Sequence, residues 1–416
     1  MYKTPARSIF LAILAVAMPA VGRAQATMWE VGDLPGGGTY SEIRDATFVG
    51  GTIYAVGAGS TFGTSSGNVA ILWRSDTGMT ALPNLATTTS TRFNTAGAIS
   101  SDGAVIAGRA FNTTGGNSRV AVTWNTSNLS SATALTQPSG YGALSYAVAM
   151  NSTGSVVYGL STATDGSGYQ MSVRWSGGTG VTVGPTGNEA SSPALHGVSA
   201  DGMYMIGTTG TAASKLAGPG AQAFVYNHND GGFEMLPGLT GTTWSMGMGI
   251  NANHTRALLG GDSTANPNGE LWFYNGASPV TPLGSPMSGW TLNNGAGMTD
   301  DGSVVFGVFS PTAADPNTTF IHNSSGWFNL QTVATGAGAN LTGWSNLSAE
   351  GINSDGTLIY GIGIHNTATE GFVLNFSNGY LAAVPEPSSY AAIFGAGGLV
   401  LALWRRRASA KSLQSL

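Results

Sequence analysis

A short turn recurs seven times along this 416-residue chain, at Gly50-Gly51, Asp102-Gly103, Thr153-Gly154, Asp201-Gly202, Asn253-His254, Asp301-Gly302 and Asp355-Gly356. The spacings between second positions are 52, 51, 48, 52, 48 and 54 residues. So narrow a spread over seven copies marks one structural unit, which buries its apolar face only by stacking on its neighbours. Five residues before each turn position stands a small residue: Ala46, Ala98, Ala149, Gly197, Gly249, Gly297 and Gly351. The next position is apolar in six of the seven copies. After the turn come runs such as Val156-Val157-Tyr158 and Leu358-Ile359-Tyr360. Five of these close on a glycine five residues past the turn (Gly108, Gly159, Gly207, Gly307, Gly361), while Gly57 and Gly260 come one residue late. Asp-Gly between apolar runs is a tight hairpin signal, because such turns need positive φ.

A second strand pair follows in each unit. Its first strand ends on an aromatic in Ile71-Leu72-Trp73, Val122-Thr123-Trp124, Val173-Arg174-Trp175 and Phe224-Val225-Tyr226, and its second is Met79 to Pro83, Val181 to Pro185, Phe233 to Pro237 or Val280 to Leu283. Four short strands in about 50 residues, repeated radially, is the pattern of a β-propeller. The chain is therefore expected to be all-β, a seven-bladed β-propeller of four-stranded repeats over residues 27–384. An open β-solenoid is the rival, although about 50 residues is long for one of its coils. Two segments compete to supply the last outer strand: Trp29 to Pro35, which ends in Leu-Pro like Leu82-Pro83 and Leu236-Pro237, and Tyr380 to Val384.

The ends carry other signals. Lys3 and Arg7, the apolar run Ser8 to Val21, and small residues Ala24 and Ala26 read as a signal peptide over residues 1–26, removed by signal peptidase near Thr27. Tyr390 to Trp404 is an uncharged apolar segment followed at once by Arg405, Arg406 and Arg407, which hold that flank on the cytoplasmic side. Its fifteen residues fall short of the ~20 that span a bilayer core, a difference that flanking residues or a thin bilayer make up. It is expected to be a transmembrane anchor, with a basic cytoplasmic tail at 405–416. Just before it stand Pro385, Glu386 and Pro387. The tripeptide, apolar helix and arginine cluster in that order resemble the PEP-CTERM sorting signal of Gram-negative exported proteins. That resemblance covers Val384 to Arg407 and implies handling by an exosortase-type membrane protease. The repeat itself resembles the extracellular HAF repeat, on Gly351-Ile352-Asn353-Ser354-Asp355-Gly356 and its copies over residues 40 to 375. The name motif His-Ala-Phe is replaced here by Gln222-Ala223-Phe224 and Glu370-Gly371-Phe372.

Composition narrows the chemistry. There is no cysteine, so disulfides and thiolate metal sites are excluded. Only 8% of residues are charged, yet 42% are hydrophobic, enough to build a core. Between Thr27 and Val384 eight basic side chains face nineteen acidic ones, a net of −11, which argues against nucleic acid or anionic lipid as partner. No Gly-x-Ser-x-Gly, His-Glu-x-x-His or phosphate-binding loop occurs, and the Asp-Gly turns lack calcium-loop spacing. The five histidines are scattered, and no cofactor or metal is expected.

Two sets of residues stand out as candidate sites. Six residues before the turn the copies carry Asp45, Gly97, Val148, His196, Met248, Ala296 and Glu350. In a closed ring the first and last units are neighbours, which would bring Asp45 and Glu350 to one channel mouth with His196 across it. A carboxylate pair can hold a cation or cleave a glycosidic bond, whereas the plainer role is a strand end capped in water. Tyr40, Phe93, Tyr141, Trp244, Trp290 and Trp344 approach the inner strands and would share one rim with the long loops. They fit either stacking on sugar rings or packing between blades. The function expected from these readings is that of an exported, non-catalytic cell-surface or matrix protein, at the envelope or outside the cell, anchored transiently or permanently. It would bind exopolysaccharide or an envelope protein through the propeller rim. A secreted glycan-cleaving enzyme using channel carboxylates and a purely structural spacer are the alternatives.

Overall fold

The computed structural model describes residues 25–60, 68–85, 94–112, 118–168, 170–183, 194–209, 220–252, 254–276, 280–312 and 315–384. The signal-peptide region 1–24 with Ala24, the rim candidate Phe93, the sorting tripeptide Pro385 to Pro387, the apolar segment 390–404 and Arg405 to Arg407 lie outside them. Six repeats each become one antiparallel sheet whose four strands are hydrogen-bonded in chain order, and the described residues form seven four-stranded blades in all. The innermost strands are Ser41–Val49, Thr95–Ile99, Tyr141–Met150, Ala194–Val198, Ser245–Ile250, Thr291–Met298 and Trp344–Ile352. The solenoid alternative is thereby set aside.

The seventh blade is completed from the other end of the chain. Ala26–Glu30 pairs antiparallel with Ala368–Phe376, in a register running from Ala26↔Phe376 to Glu30↔Phe372. Of the two competing segments the N-terminal one closes the ring. Tyr380–Ala383 instead forms a four-residue helix that buries Leu381, and Asn323 Nδ2 donates to the Leu381 and Val384 carbonyls. A second short helix, Leu330–Gly336, is capped by Asn329 and buries Leu330, Val333 and Ala334.

The repeated turn has a specific cause. In six blades a Ser, Thr or Asn three residues before the turn glycine position accepts the amide that starts the next strand. Val105 N–H donates to Ser100 Oγ at 2.9 Å and Val156 N–H to Asn151 Oδ1 at 3.0 Å. Tyr204, Arg256, Val304 and Leu358 repeat the bond to Ser199, Asn251, Thr299 and Asn353. Such side chains satisfy backbone groups that a tight loop would leave unpaired. The turn residue itself has positive φ, +71° at Gly103 and +72° at Gly356, which glycine adopts without strain. His254 holds the same place at φ 53° and stacks on Tyr204 with ring centroids 4.0 Å apart.

Blades are tied to one another by tryptophans on their third strands. Trp124 Nε1 donates to the Pro83 carbonyl at 2.8 Å, Trp175 Nε1 to Thr136 at 3.0 Å and Trp272 Nε1 to Pro237 at 3.4 Å, each crossing to the preceding blade. These three rings are among the largest fully buried side chains. Burial of the ring with a partner for its N–H is what makes tryptophan stable inside such a contact.

The central channel as candidate functional site

In six blades the innermost strand carries a bulge, where one residue has no partner on the second strand. The bulged residues are Arg44, Gly97, Val148, His196, Met248 and Glu350. A bulge re-aims the side chain that it carries, and here it turns toward the axis. Together with Ala296 from the sixth blade, these six residues line both cavities of the channel. The glycines that close the second strands explain the tight packing behind the ring. A Cβ at Gly57, Gly108, Gly159 or Gly361 would collide with the carbonyl of Glu42, Thr95, Tyr146 or Ser348.

Counting back from the turn places Asp45 in this ring; the structure places Arg44 there and Asp45 one residue further on. The first blade's hairpin is longer, running to Val49↔Thr52 around Gly50-Gly51, and both glycines have positive φ. Asp45 does line the cavity on the turn side, about 270 Å³, with His196 and Glu350. Its oxygens are nevertheless engaged. Oδ1 accepts from Ala46 N–H at 2.8 Å and from Tyr360 Oη–H at 2.9 Å, and Oδ2 accepts from Ile99 N–H at 2.8 Å. Asp45 therefore joins the seventh, first and second blades. Burial pushes its carboxyl up to about 6, and these donors offset part of that effect.

The opposite cavity, about 580 Å³, is lined by Arg44, Arg109, Thr95, Tyr146, His196 and Glu350 among others. Arg44 Nε binds Glu42 Oε1 at 2.8 Å, and Glu42 also accepts from Tyr40 Oη–H at 2.8 Å. Glu350 sits in the field of Arg44, which favours its charged form, but burial together with Glu42 raises its carboxyl. Arg109 spans the second blade with its guanidinium 5.8 Å from the Tyr146 ring centroid and 3.5 Å from Thr95 Oγ1, and its Nε has no hydrogen-bond partner. Burial lowers its pKa, and the positive charges of Arg119 and Arg44 lower it further. His196 is held neutral by burial, which pushes it down to about 4, and its Nε2 is unpartnered. Arg44 and Arg109 went unnoticed in the sequence. Gly57 stands one residue late, but so does Gly260, whose blade keeps its bulge at Met248, so the glycine spacing alone does not reveal the shifted register of Arg44.

The aromatic candidates separate. Trp344 is 5% exposed, stacks on His365 with centroids 4.8 Å apart and meets Phe372 edge-on at 6.1 Å. Trp244 and Trp290 are partly buried against the core between the fifth and sixth blades, and Trp290 meets Phe320 edge-on at 5.6 Å. Tyr40 is tied to Glu42, and Tyr141 is partly exposed. Trp344→Ala is expected to cost about 3 kcal/mol, as for a large aromatic removed from a packed site, and urea denaturation reads this directly. A loss below 1 kcal/mol would mean that the ring packs less tightly than its contacts indicate.

Residues 383–407 match the PEP-CTERM protein-sorting motif. No curated protein matches the chain by sequence. In structure the chain is similar to an oligogalacturonate lyase solved in complex with manganese, at 10% identity and TM-score 0.52, over 85% of this chain and 91% of that one. It is also similar to the β-propeller domain of the Trilobed protease from Pyrococcus furiosus, at 10% identity and TM-score 0.50, over 80% and 94%. A prolyl endopeptidase aligns at 13% identity and TM-score 0.51, over 81% of this chain and 50% of that one, so this chain spans about half its length. At such identities the likeness concerns the fold alone. Among the described residues no helix is long and apolar enough to cross a membrane.

Proposed function

We propose that this chain is an exported, envelope-associated protein of a Gram-negative bacterium. An exosortase-type system delivers it, and it acts as a non-catalytic binder of exopolysaccharide or of an envelope partner. The observation that carries this reading is the order of parts. A propeller whose last described residue is Val384 is followed by a segment matching a protein-sorting motif over 383–407. In this reading the apolar run 390–404 and its arginines hold the chain in the membrane until it is processed, and the HAF-like repeats are the extracellular module. The glycan-cleaving alternative needs two free carboxyls on opposite sides of a bond, and it is weakened because Asp45 is committed to three donors within the wall.

Alanine at Pro385, Glu386 and Pro387 should abolish exosortase-dependent processing, with the unprocessed chain retained in the inner-membrane fraction. Fractionation and immunoblotting of cells with and without the exosortase check this. Identical distribution of both chains in both strains would overturn the sorting half of the proposal. The binding half is tested with exopolysaccharide from the native culture and a glycan array, and the absence of any retained polymer would leave a structural or protein-binding role.

A further inference from the structure

The acidic body has eight basic side chains, and two of them, Arg44 and Arg109, line one cavity. The charge of Arg119 is felt there as well. The two cavity arginines are not equivalent. Arg44 is paired with Glu42, whereas Arg109 has no carboxylate within ion-pair distance among the described residues and leaves its Nε unbonded. A partly buried guanidinium resting on a tyrosine face is pre-oriented for a planar anion, because its N–H groups form a fixed fork that matches a carboxylate. Around it stand groups suited to hydroxyls rather than to a second charge. Thr95, His196 and Glu350 line the same cavity, Glu350 in the field of Arg44 and Thr95 with its hydroxyl 3.5 Å from Arg109.

We propose that this cavity is a binding site for a hexuronic-acid residue of an acidic glycan, its carboxylate on Arg109 and its hydroxyls toward Glu350 and Thr95. The inference rests on the polymer-binding reading and names the class of polymer. An acidic polymer meeting an acidic protein needs a local positive site, and Arg109 provides one inside a pocket large enough for a sugar ring.

Isothermal titration of the full chain in mild detergent, with a trisaccharide of hexuronic acid and with its methyl ester, tests this. The free acid should bind at least tenfold more tightly than the ester, which lacks the charge and carries one added methyl group, and its affinity should fall as salt rises. Arg109→Gln should remove the preference for the acid, and Arg109→Lys should retain part of it, with thermal melting confirming that both variants fold. Equal affinity for acid and ester, or an acid preference unchanged in Arg109→Gln, would overturn the proposal. If native exopolysaccharide still binds in that case, the surface-polymer reading stands with a site elsewhere. If no polymer binds, both fall.

Discussion

Replacing Asp45 with alanine should lower stability by about 3–5 kcal/mol, since it leaves the Tyr360 hydroxyl and the Ile99 and Ala46 amides without partners at a joint between three blades. The asparagine variant separates geometry from charge. Folded Asp45 titrates near 6 and its ordinary value is 3.8, so between those values the folded chain holds a proton that the unfolded chain has released. Its contribution to stability therefore grows as pH falls from about 6 to about 4 and changes little below that. A displacement of about two units corresponds to something on the order of 3 kcal/mol across the window. Urea midpoints at pH 7, 5.5 and 4.5 should show the natural chain gaining on Asp45→Asn as the pH drops. Parallel behaviour of the two chains would mean that this carboxyl is not buried against its charge.

The repeat was legible because its turn is chemically narrow. A Ser, Thr or Asn that closes the loop and a residue of positive φ beyond it leave a mark that survives wherever the intervening residues vary, as His254 shows by holding the glycine place at φ 53°. The blade-to-blade ties were half visible. Trp124 and Trp175 and the Leu-Pro ends of fourth strands stand out in the sequence, but the Trp272–Pro237 and Trp124–Pro83 bonds link residues 35 and 41 positions apart and form only once neighbouring blades are stacked. Leu330–Gly336 left no trace, because one cap and two turns are too short to impose a helical period.

The site was less legible than the fold. A channel wall is defined by register, and register is counted in single residues. Six blades reach the bulge six residues before the turn position or through an equivalent break in register, whereas the first blade pairs out to Val49↔Thr52 and reaches it seven before. That single step exchanges a buried structural carboxylate for an arginine and changes the channel from a meeting of two acids into a mixed site. Arg109 was hidden for another reason. It lies on the second strand of its blade, in Val105–Asn112, and only the packing of Tyr146 from the next blade shows which way its guanidinium turns.

Removing the closing strand should have the largest effect on the molecule. Ala26 is 2% exposed, and Met28 packs on the same core as Phe372 and Leu374. Trp29 meets Trp73 of the first blade edge-on at 6.0 Å, so this strand touches both sides of the seam. Glu30 lies 3.5 Å from His365, whose other ring nitrogen is 3.2 Å from Glu370. A chain beginning at Val31 loses the whole register from Ala26↔Phe376 to Glu30↔Phe372 and exposes the edge of Ala368–Phe376. Its loss is expected to exceed 5 kcal/mol, several buried side chains at about 1.5–3 kcal/mol each, and an open strand edge promotes association between copies. A chain beginning at Thr27, just past the Ala24–Ala26 pattern, should fall between. It keeps the register from Thr27↔Asn375 onward but loses the Gln25 and Ala26 amides on the Ala337 carbonyl and the Ser377 amide on Gln25. Each such bond contributes about 0.5–1.5 kcal/mol. Melting of chains starting at Gln25, Thr27 and Val31, all with the same C-terminus, should therefore give three descending midpoints. A peptide of residues 25–33 added to the shortest should restore most of the loss by adding the missing strand in trans. Equal midpoints for the three would show that the ring holds without its clasp and that Asp45 and the blade-to-blade tryptophans suffice to keep it closed.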